Sequence, residues 1–182
     1  MLQKVSSDII LSLDASSTST GWAVFDNKGL SAYGVIKPQG EDWRDRLVHQ
    51  GPKLKEIINK YHPTKIVMED VPLKSSGGLK VLVLLGAVQG FIYGIASSYE
   101  LPVKFVSPTT WRSSMGFYDG TEDGKKRDVM KKKAIEYANK EFGLNLKYVS
   151  PKSKQNQDDT AEAICIGYSQ IKKRKFGKQK EI

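Results

Sequence analysis

The alternation of apolar and polar stretches near the start of the chain predicts a β-hairpin that continues into a meander. A run of five mainly apolar residues, 9–13, precedes Asp14; a Ser/Thr cluster follows, and residues 21–25 are apolar again. A short apolar run, a turn of small hydroxyl residues and a second apolar run are typical of two core strands. A turn at 26–29 and a third strand at 30–37 then predict an antiparallel meander.

Helical and strand-like patterns alternate in the rest of the chain. Apolar residues between 47 and 61 recur at helical spacing, and Pro52 either kinks this helix or begins it afresh. A second core strand at 65–70 follows a helix, which predicts a crossover and a parallel partner for the first strand. The later elements are a helix over 81–96, a strand at 102–106, a capped helix start at 107–112, a helix that follows the basic residues 125–127 and ends near 142, and a final helix from about 158. This order predicts an α/β fold: a mixed sheet with helices on both faces.

The stretch 81–96 is uncharged and has a regular spacing of glycines. Its 16 residues fall short of the ~20 that a membrane-spanning helix needs, so we expect a buried helix and no membrane partner. Gly86, Gly90 and Gly94 lie four residues apart and therefore form one smooth ridge. Such a ridge allows close approach of another helix, either within the domain or across a subunit interface.

Composition and charge narrow the class of protein. The chain has 182 residues, which predicts one domain over 1–171 followed by a basic tail over 172–182. The net charge of +9 indicates a polyanionic partner such as nucleic acid, with solubility alone as the alternative. The single Cys165 excludes an internal disulfide and favours a reducing compartment. With no leader pattern at the start, we expect a cytoplasmic protein.

Four carboxylates stand where a common site could use them. Asp14 and Glu69 end two strands that we expect to be neighbours, and ligands of open sheets gather at the carboxyl ends of strands. Asp159 and Glu162 lie three residues apart on one face of the last helix. If that helix docks over these strand ends, the four carboxylates converge and repel one another unless cations lie between them. Mg²⁺ suits such oxygen ligands, and two such ions would support phosphodiester cleavage.

Each acidic residue also has a purely structural interpretation. Asp159 at a helix start can be an N-cap with Glu162 as its capping-box partner. Asp14 can begin an Asx-turn with the hydroxyl residues that follow it. Glu69 can pair with a lysine. Only the joint placement of these residues favours a functional site over three separate structural roles.

At these positions the chain resembles the RuvC family of Holliday junction resolvases, within the RNase H-like nuclease fold, and especially the compact bacteriophage members. The segments that carry the resemblance are 13–23, 66–71 and 158–164. The resemblance implies a five-stranded sheet in the order 3-2-1-4-5 and a homodimer. It also implies Mg²⁺-dependent nicking of paired strands at a four-way DNA junction, with Mn²⁺ able to substitute and two ions per site during catalysis.

The resemblance also assigns roles to individual residues. Asp14, Glu69 and Asp159 correspond to the first three acidic metal ligands and Glu162 to the fourth. The glycine ridge 86–94 corresponds to the dimer interface. In this family, lysines between the fifth strand and the last helix hold scissile phosphates. The candidate DNA-binding residues here, which the resemblance does not match to individual family positions, are Arg112, Lys125, Lys126, Lys131 and Lys132.

Three departures from the family pattern accompany these assignments. Glu162 replaces an aspartate, Ala15 and Ser16 replace a Pro-Gly pair, and Pro72 stands where cellular members have an aromatic wedge. The last of these puts in question how the junction centre is opened and the selectivity for four-way junctions over forks and flaps. Two other functions remain open at this point: a non-catalytic module that binds branched DNA, and an actin-like ATPase whose phosphate-binding hairpin would contain Asp14.

Overall fold

The computed structural model describes residues 8–71 and 78–177, and side chains up to residue 171. Pro72, at the position of the family's aromatic wedge, lies outside the described residues. The five strands are β1 (Ile10–Asp14), β2 (Thr20–Asp26), β3 (Gly29–Ile36), β4 (Lys65–Glu69) and β5 (Val103–Val106).

The strands form one mixed sheet in the order β3-β2-β1-β4-β5, as predicted. The meander β1–β3 is antiparallel, whereas β4 runs parallel to β1 and β5 parallel to β4. Parallel pairing requires a crossover connection, and the helices between β3, β4 and β5 supply it. The carboxyl ends of β1 and β4 therefore lie side by side at one edge of the sheet.

Helices cover both faces of the sheet. They are α1 (Trp43–Tyr61), α2 (Gly78–Ser98), α3 (Pro108–Ser114), α4 (Arg127–Phe142) and α5 (Asp158–Gly177), with a 3-10 turn at Asp123–Lys125. Alternate residues of β1 enter two separate cores, because successive strand side chains point to opposite faces. Ile10 packs with α3, α4 and α5, whereas Leu11 and Leu13 pack with α1 and α2. The prediction of a two-sided α/β fold is confirmed.

The helix α1 continues without interruption through Pro52. Proline removes one backbone donor and leaves the carbonyl of residue 48 without its helical partner. Both Pro52 and Val48 are solvent-exposed, so water can hydrogen-bond to this carbonyl. The helix begins at a capping box formed by Asp42 and Asp45 and ends where His62 adopts a left-handed conformation. Of the two alternatives for Pro52, a fresh helix start is thus wrong.

The helix α2 is longer and more exposed than predicted. It has 21 residues and is the one helix in the described chain that is long and apolar enough, by length and composition alone, to cross a membrane. Val88, Ile92 and Ile95 are buried against the sheet and α1. The opposite face is open, so the prediction of a buried helix holds for one face only. The last helix, α5, continues to Gly177, past the predicted boundary at residue 171.

Candidate active site

The carboxylates of Asp14 and Glu69 lie at the same edge of the sheet. In the parallel ladder between β1 and β4, Leu13 pairs with Met68, and the two acidic residues each come one position later. On the other side of β1, Asp14 lies opposite Gly21 of β2. The predicted neighbourhood of these two strand ends is therefore confirmed.

The turn after Asp14 is organised by Ser16. Its hydroxyl donates to the carbonyl of Ser19 at 2.6 Å and accepts from the backbone N–H of Ser19 at 3.0 Å, while Thr20 donates its hydroxyl to the carbonyl of Ser16 at 3.1 Å. These hydrogen bonds stabilise the turn without a contribution from the Asp14 carboxylate. The Asx-turn interpretation is wrong, and the Asp14 carboxylate remains available to the site.

The helix α5 docks directly on β1 and β2 because small residues allow a close approach. A Cβ atom on Gly21 would overlap the backbone carbonyl of Asp159, and one on Gly167 would lie 2.5 Å from Phe25 and from Ser12. The Ser12 hydroxyl donates to the carbonyl of Ala163 at 2.8 Å. This contact brings the first turn of α5 over the carboxyl end of β1.

The start of α5 supplies the second pair of acidic residues, Asp159 and Glu162. The helix begins at Asp158, so Asp159 lies inside the first turn and is not its N-cap. The capping-box interpretation of Asp159 and Glu162 is therefore wrong. Thr160 anchors this turn to β3 by donating its hydroxyl to the carbonyl of Gly34 at 3.2 Å.

The other three carboxylates lie close enough to Asp14 to influence its protonation. Burial raises the pKa of Asp14 well above its usual value, and the charges of Glu162, Glu69 and Asp159 raise it further. Burial also raises the pKa of Glu69. Like charges raise a carboxyl pKa only at short range. We refer to Asp14, Glu69, Asp159 and Glu162 as the acidic cluster.

An arginine and a tryptophan from α3 hold the acidic cluster on one side. The Arg112 guanidinium lies 3.2 Å from a Glu162 oxygen and 3.6 Å from a Glu69 oxygen, and the Trp111 indole N–H donates to Glu69 at 2.5 Å. The guanidinium also lies 4.9 Å from the centre of the Trp111 ring. Glu69 thus pairs with an arginine instead of the lysine that was considered. Arg112 had been assigned to DNA binding, with no expectation that it bridges two carboxylates.

A lysine from α4 holds the other side. The Lys131 ammonium group pairs with Asp158 and lies 3.9 Å from an Asp159 oxygen. Sequence reasoning missed both Asp158 and Trp111 as neighbours of the site. The only signal for Asp158 was its position immediately before Asp159, and the buried Trp111 had no signal beyond its place in a capped helix start.

The remaining predicted DNA-binding lysines lie on the surface beside acidic partners. Lys125 pairs with Glu122 at 2.5 Å, Lys126 with Asp123 at 2.7 Å and Lys132 with Glu136 at 3.7 Å. These are exposed pairs, which contribute little to stability and separate readily. None of the three ammonium groups pairs with the acidic cluster in the described part of the chain.

The donor set of the acidic cluster fits a hard divalent cation. Within the described residues, no three acidic, histidine or cysteine side chains form a ready-made metal cage. The charges of Glu69, Asp159 and Glu162 nevertheless raise the pKa of Asp14, and Arg112 and Lys131 supply only part of the compensating charge. Carboxylates in this arrangement favour a cation with oxygen ligands. The residues present therefore fit such an ion once the side chains adjust around it.

The raised pKa of Glu162 makes the stability of the protein depend on pH in the absence of divalent metal. Burial raises its pKa to about 7, with the Arg112 guanidinium opposing and Glu69 reinforcing the shift. Because the folded protein holds a proton that the unfolded chain releases near pH 4.5, the stabilisation is present below that pH and is lost as pH rises through about 7.

We expect the free energy of unfolding in EDTA to fall between about pH 5 and about pH 7.5. In Glu162→Gln the fall is expected to be smaller, by on the order of 2 kcal/mol. Urea denaturation followed by circular dichroism at several pH values measures both curves. Identical slopes for the wild type and the variant would contradict the assigned burial of Glu162.

The chain is similar to known proteins in both sequence and fold. No protein-family model matches the chain. The crossover junction endodeoxyribonuclease RuvC of Oleidesulfovibrio alaskensis is 28% identical over 108 residues, which is 55% of this chain and 61% of that protein. The chain thus matches less than two thirds of the length of this relative.

Two solved structures have a similar fold over nearly the whole chain. Thermus thermophilus RuvC in complex with a Holliday junction substrate superposes with a TM-score of 0.65 at 15% identity, covering 93% of this chain and 96% of that one. Fowlpox virus resolvase in complex with Holliday junction DNA gives 0.56 at 19% identity, covering 91% and 98%. In sequence and in fold, the chain is similar to RuvC, and it has the RNase H-like fold of that protein.

Proposed function

We propose that this protein is a metal-dependent endonuclease that resolves four-way DNA junctions by hydrolytic nicking of paired strands. The observation that carries the proposal is the meeting of Asp14, Glu69, Asp159 and Glu162 where α5 docks over the ends of β1 and β4. RuvC and the poxvirus resolvase, which share the fold, are junction-resolving proteins by name. A cytoplasmic location and action on forks and flaps belong to the same proposal.

The acidic cluster would hold Mg²⁺, with Mn²⁺ as a substitute and two ions during catalysis. Bound divalent ions supply an activated water and stabilise the leaving oxygen in phosphodiester hydrolysis. The four carboxylates orient and hold the cations, and the buried Trp111 indole fixes one oxygen of Glu69 by its hydrogen bond. Arg112 lies against two of these carboxylates, so its guanidinium would be near a phosphate bound at the acidic cluster.

The basic residues are proposed to bind the DNA backbone. The chain carries 29 Lys and Arg against 20 Asp and Glu, and phosphate neutralisation is the main source of affinity for DNA. The proposed contacts are Arg112, Lys125, Lys126, Lys131 and Lys132. Their present partners are acidic side chains, so binding exchanges an intramolecular ion pair for a phosphate contact.

A nicking assay tests the proposed function. Synthetic four-way junctions, forks and flaps, each labelled on one strand, are incubated with the protein in Mg²⁺ and in EDTA. We expect symmetric nicks in the four-way junction that depend on Mg²⁺. Tight binding with no nicking under any divalent metal would instead identify the non-catalytic binding module. No observation in the described residues favours the actin-like ATPase.

The proposed homodimer uses the open face of α2. Gly86, Gly90 and Gly94 are exposed, and a Cβ atom on any of them would meet nothing within 4 Å. The alternative that this ridge packs inside the domain is therefore wrong for the described residues. Leu79, 76% exposed, and Tyr93, 53% exposed, flank the ridge on the same face. An apolar face of this kind is typical of an association surface.

We expect Gly90→Glu to convert a dimer into a monomer, because a buried unpaired carboxylate at the interface costs several kcal/mol. Sedimentation velocity measures the change. Asn145→Glu introduces the same charge at an exposed site on the opposite side of the sheet and should leave the dimer intact. A wild-type protein that sediments as a monomer would contradict the assignment of this face.

A further inference from the structure

A basic cleft extends from the acidic cluster toward the connection between α4 and α5. Its volume is about 1120 Å³. Its lining comes from the turn after β1 and the end of β3, including Ser19 and Lys37, and from the connection 147–157. The start of α5, including Asp159 of the acidic cluster, also lines the cleft. The cleft therefore opens directly onto the candidate active site.

The connection 147–157 has a defined conformation although it contains no helix or strand. The backbone N–H of Gln157 donates to the carbonyl of Lys147 at 3.0 Å, and the backbone N–H of Lys147 donates to the Gln157 side chain at 2.8 Å. The Asn156 side chain accepts from the backbone of Val149 and donates to the carbonyl of Ser150, both at 2.8 Å. These bonds close the segment into a braced loop, so less conformational entropy is lost when a ligand binds.

The cations of this loop differ from the other lysines near the site. Lys147, Lys152 and Lys154 are exposed and line the cleft, as does Lys37. In the described residues, none of these four forms an ion pair, whereas Lys131, which also lines the cleft, does. Ammonium groups without a paired carboxylate contribute a positive potential to the cleft.

We infer that the 147–157 loop binds the phosphate backbone of the DNA strand that leads away from the scissile phosphate. The inference rests on the proposed function, because it takes DNA as the occupant. A strand held at the acidic cluster must leave along a neighbouring surface, and this cleft begins at Asp159 and is lined by lysines that form no ion pair in the described residues. Lysine ammonium groups bind phosphates as point charges, so the contact is independent of base sequence.

The test is junction binding in EDTA, where no cleavage takes place. The variant Lys147→Ala, Lys152→Ala, Lys154→Ala is compared with the wild type over a range of salt concentrations. Each lost phosphate contact lowers the slope of log K against log salt by about 0.9, so we expect a slope smaller by about 2 to 3. The three side chains make no hydrogen bonds in the described structure, so the variant should keep the wild-type melting temperature.

A matched control removes the same charge elsewhere. Lys53→Ala, Lys55→Ala, Lys60→Ala replaces three exposed lysines of α1, which lies on the other face of the sheet. We expect its salt slope to remain close to that of the wild type. Equal slopes for the two triple variants would show an effect of total charge only and would overturn the inference.

Methylphosphonate substitution locates the contact. Junctions in which two or three phosphates on one side of the cleavage position are made neutral should bind the wild type about 10-fold or more weakly and the loop variant with little further loss. Additive losses at every position would overturn the inference. These measurements need no nicking, so their outcome is independent of the nuclease assay. The loop could bind DNA in a protein that does not nick it, and a protein that nicks the junction could have a loop that makes no contact with DNA.

Discussion

Asp14→Asn is expected to lower the rate of junction nicking in Mg²⁺ by at least about 1,000-fold, since loss of a carboxylate that holds the catalytic cation costs about 4 kcal/mol of barrier lowering. Asp14 is the carboxylate whose pKa responds to all three other members of the acidic cluster. Single-turnover nicking of a labelled four-way junction measures the loss. Binding of the same junction in Ca²⁺ is expected to survive, because the lysine and arginine side chains around the site remain.

A conservative control separates this effect from a general loss of charge. Asp26→Asn makes the same change at the opposite end of β2, where the carboxylate caps the turn before β3 by accepting from the backbone of Lys28 at 2.7 Å. It should nick at nearly the wild-type rate. If Asp14→Asn kept wild-type nicking, the acidic cluster could not be the catalytic centre.

Asp14→Asn should also make the metal-free protein more stable. Because the pKa of Asp14 is raised by burial and by three carboxylates, its charged form opposes folding at neutral pH. We expect Asp14→Asn to increase the free energy of unfolding in EDTA by about 1 to 2 kcal/mol near pH 7.5. The wild type should gain stability when Mg²⁺ is added, and the variant should gain less. Thermal denaturation with and without Mg²⁺ measures both differences.

Gly21→Ala is expected to have the second largest effect, on stability and nicking together. The added methyl group would overlap the backbone carbonyl of Asp159, so α5 must move away from β2. Overpacking of this kind costs about 2 kcal/mol or more, and a displacement of about 1 Å in a catalytic group lowers the rate by about 100-fold. Urea denaturation and the nicking assay measure the two losses.

Gly34→Ala provides the matched control on the neighbouring strand. There the added methyl group would lie 2.8 Å from the ring of Trp22, a side chain, and not against a backbone carbonyl. We expect a smaller loss of stability and nicking within a few-fold of the wild type. Wild-type stability and activity in Gly21→Ala would show that α5 does not approach β2 as closely as the structure has it.

Local patterns in the sequence were sufficient for the elements and their order. The apolar runs before Asp14 and Glu69, with a helix between them, already imply neighbouring parallel strands, because a crossover connection brings the second strand back beside the first. The spacing of Asp159 and Glu162 implies a shared helix face. The capping-box interpretation used the same spacing and failed, since it depended on where the helix begins, and the chain places that point at Asp158.

The surroundings of the acidic cluster could not be predicted in the same way. Arg112 and Trp111 reach Glu69 across 42 or more residues of sequence, and Lys131 reaches Asp158 across 27. Nothing in the local pattern distinguishes a cation that pairs with these acids from one that faces solvent. The exposed side of α2 was also missed, because a continuous apolar stretch does not show how many of its faces find a partner within the chain.

The sequence by itself determined the strands, the helices, the two-sided sheet and the identity of the four carboxylates, because strand and helix periodicity are properties of consecutive residues. Only the tertiary structure decided that these carboxylates meet. Their meeting depends on the close contact between Gly21 and the first turn of α5, which joins positions far apart in the chain. It also decided which cations neutralise the site and which, on the 147–157 loop, are left free for a ligand.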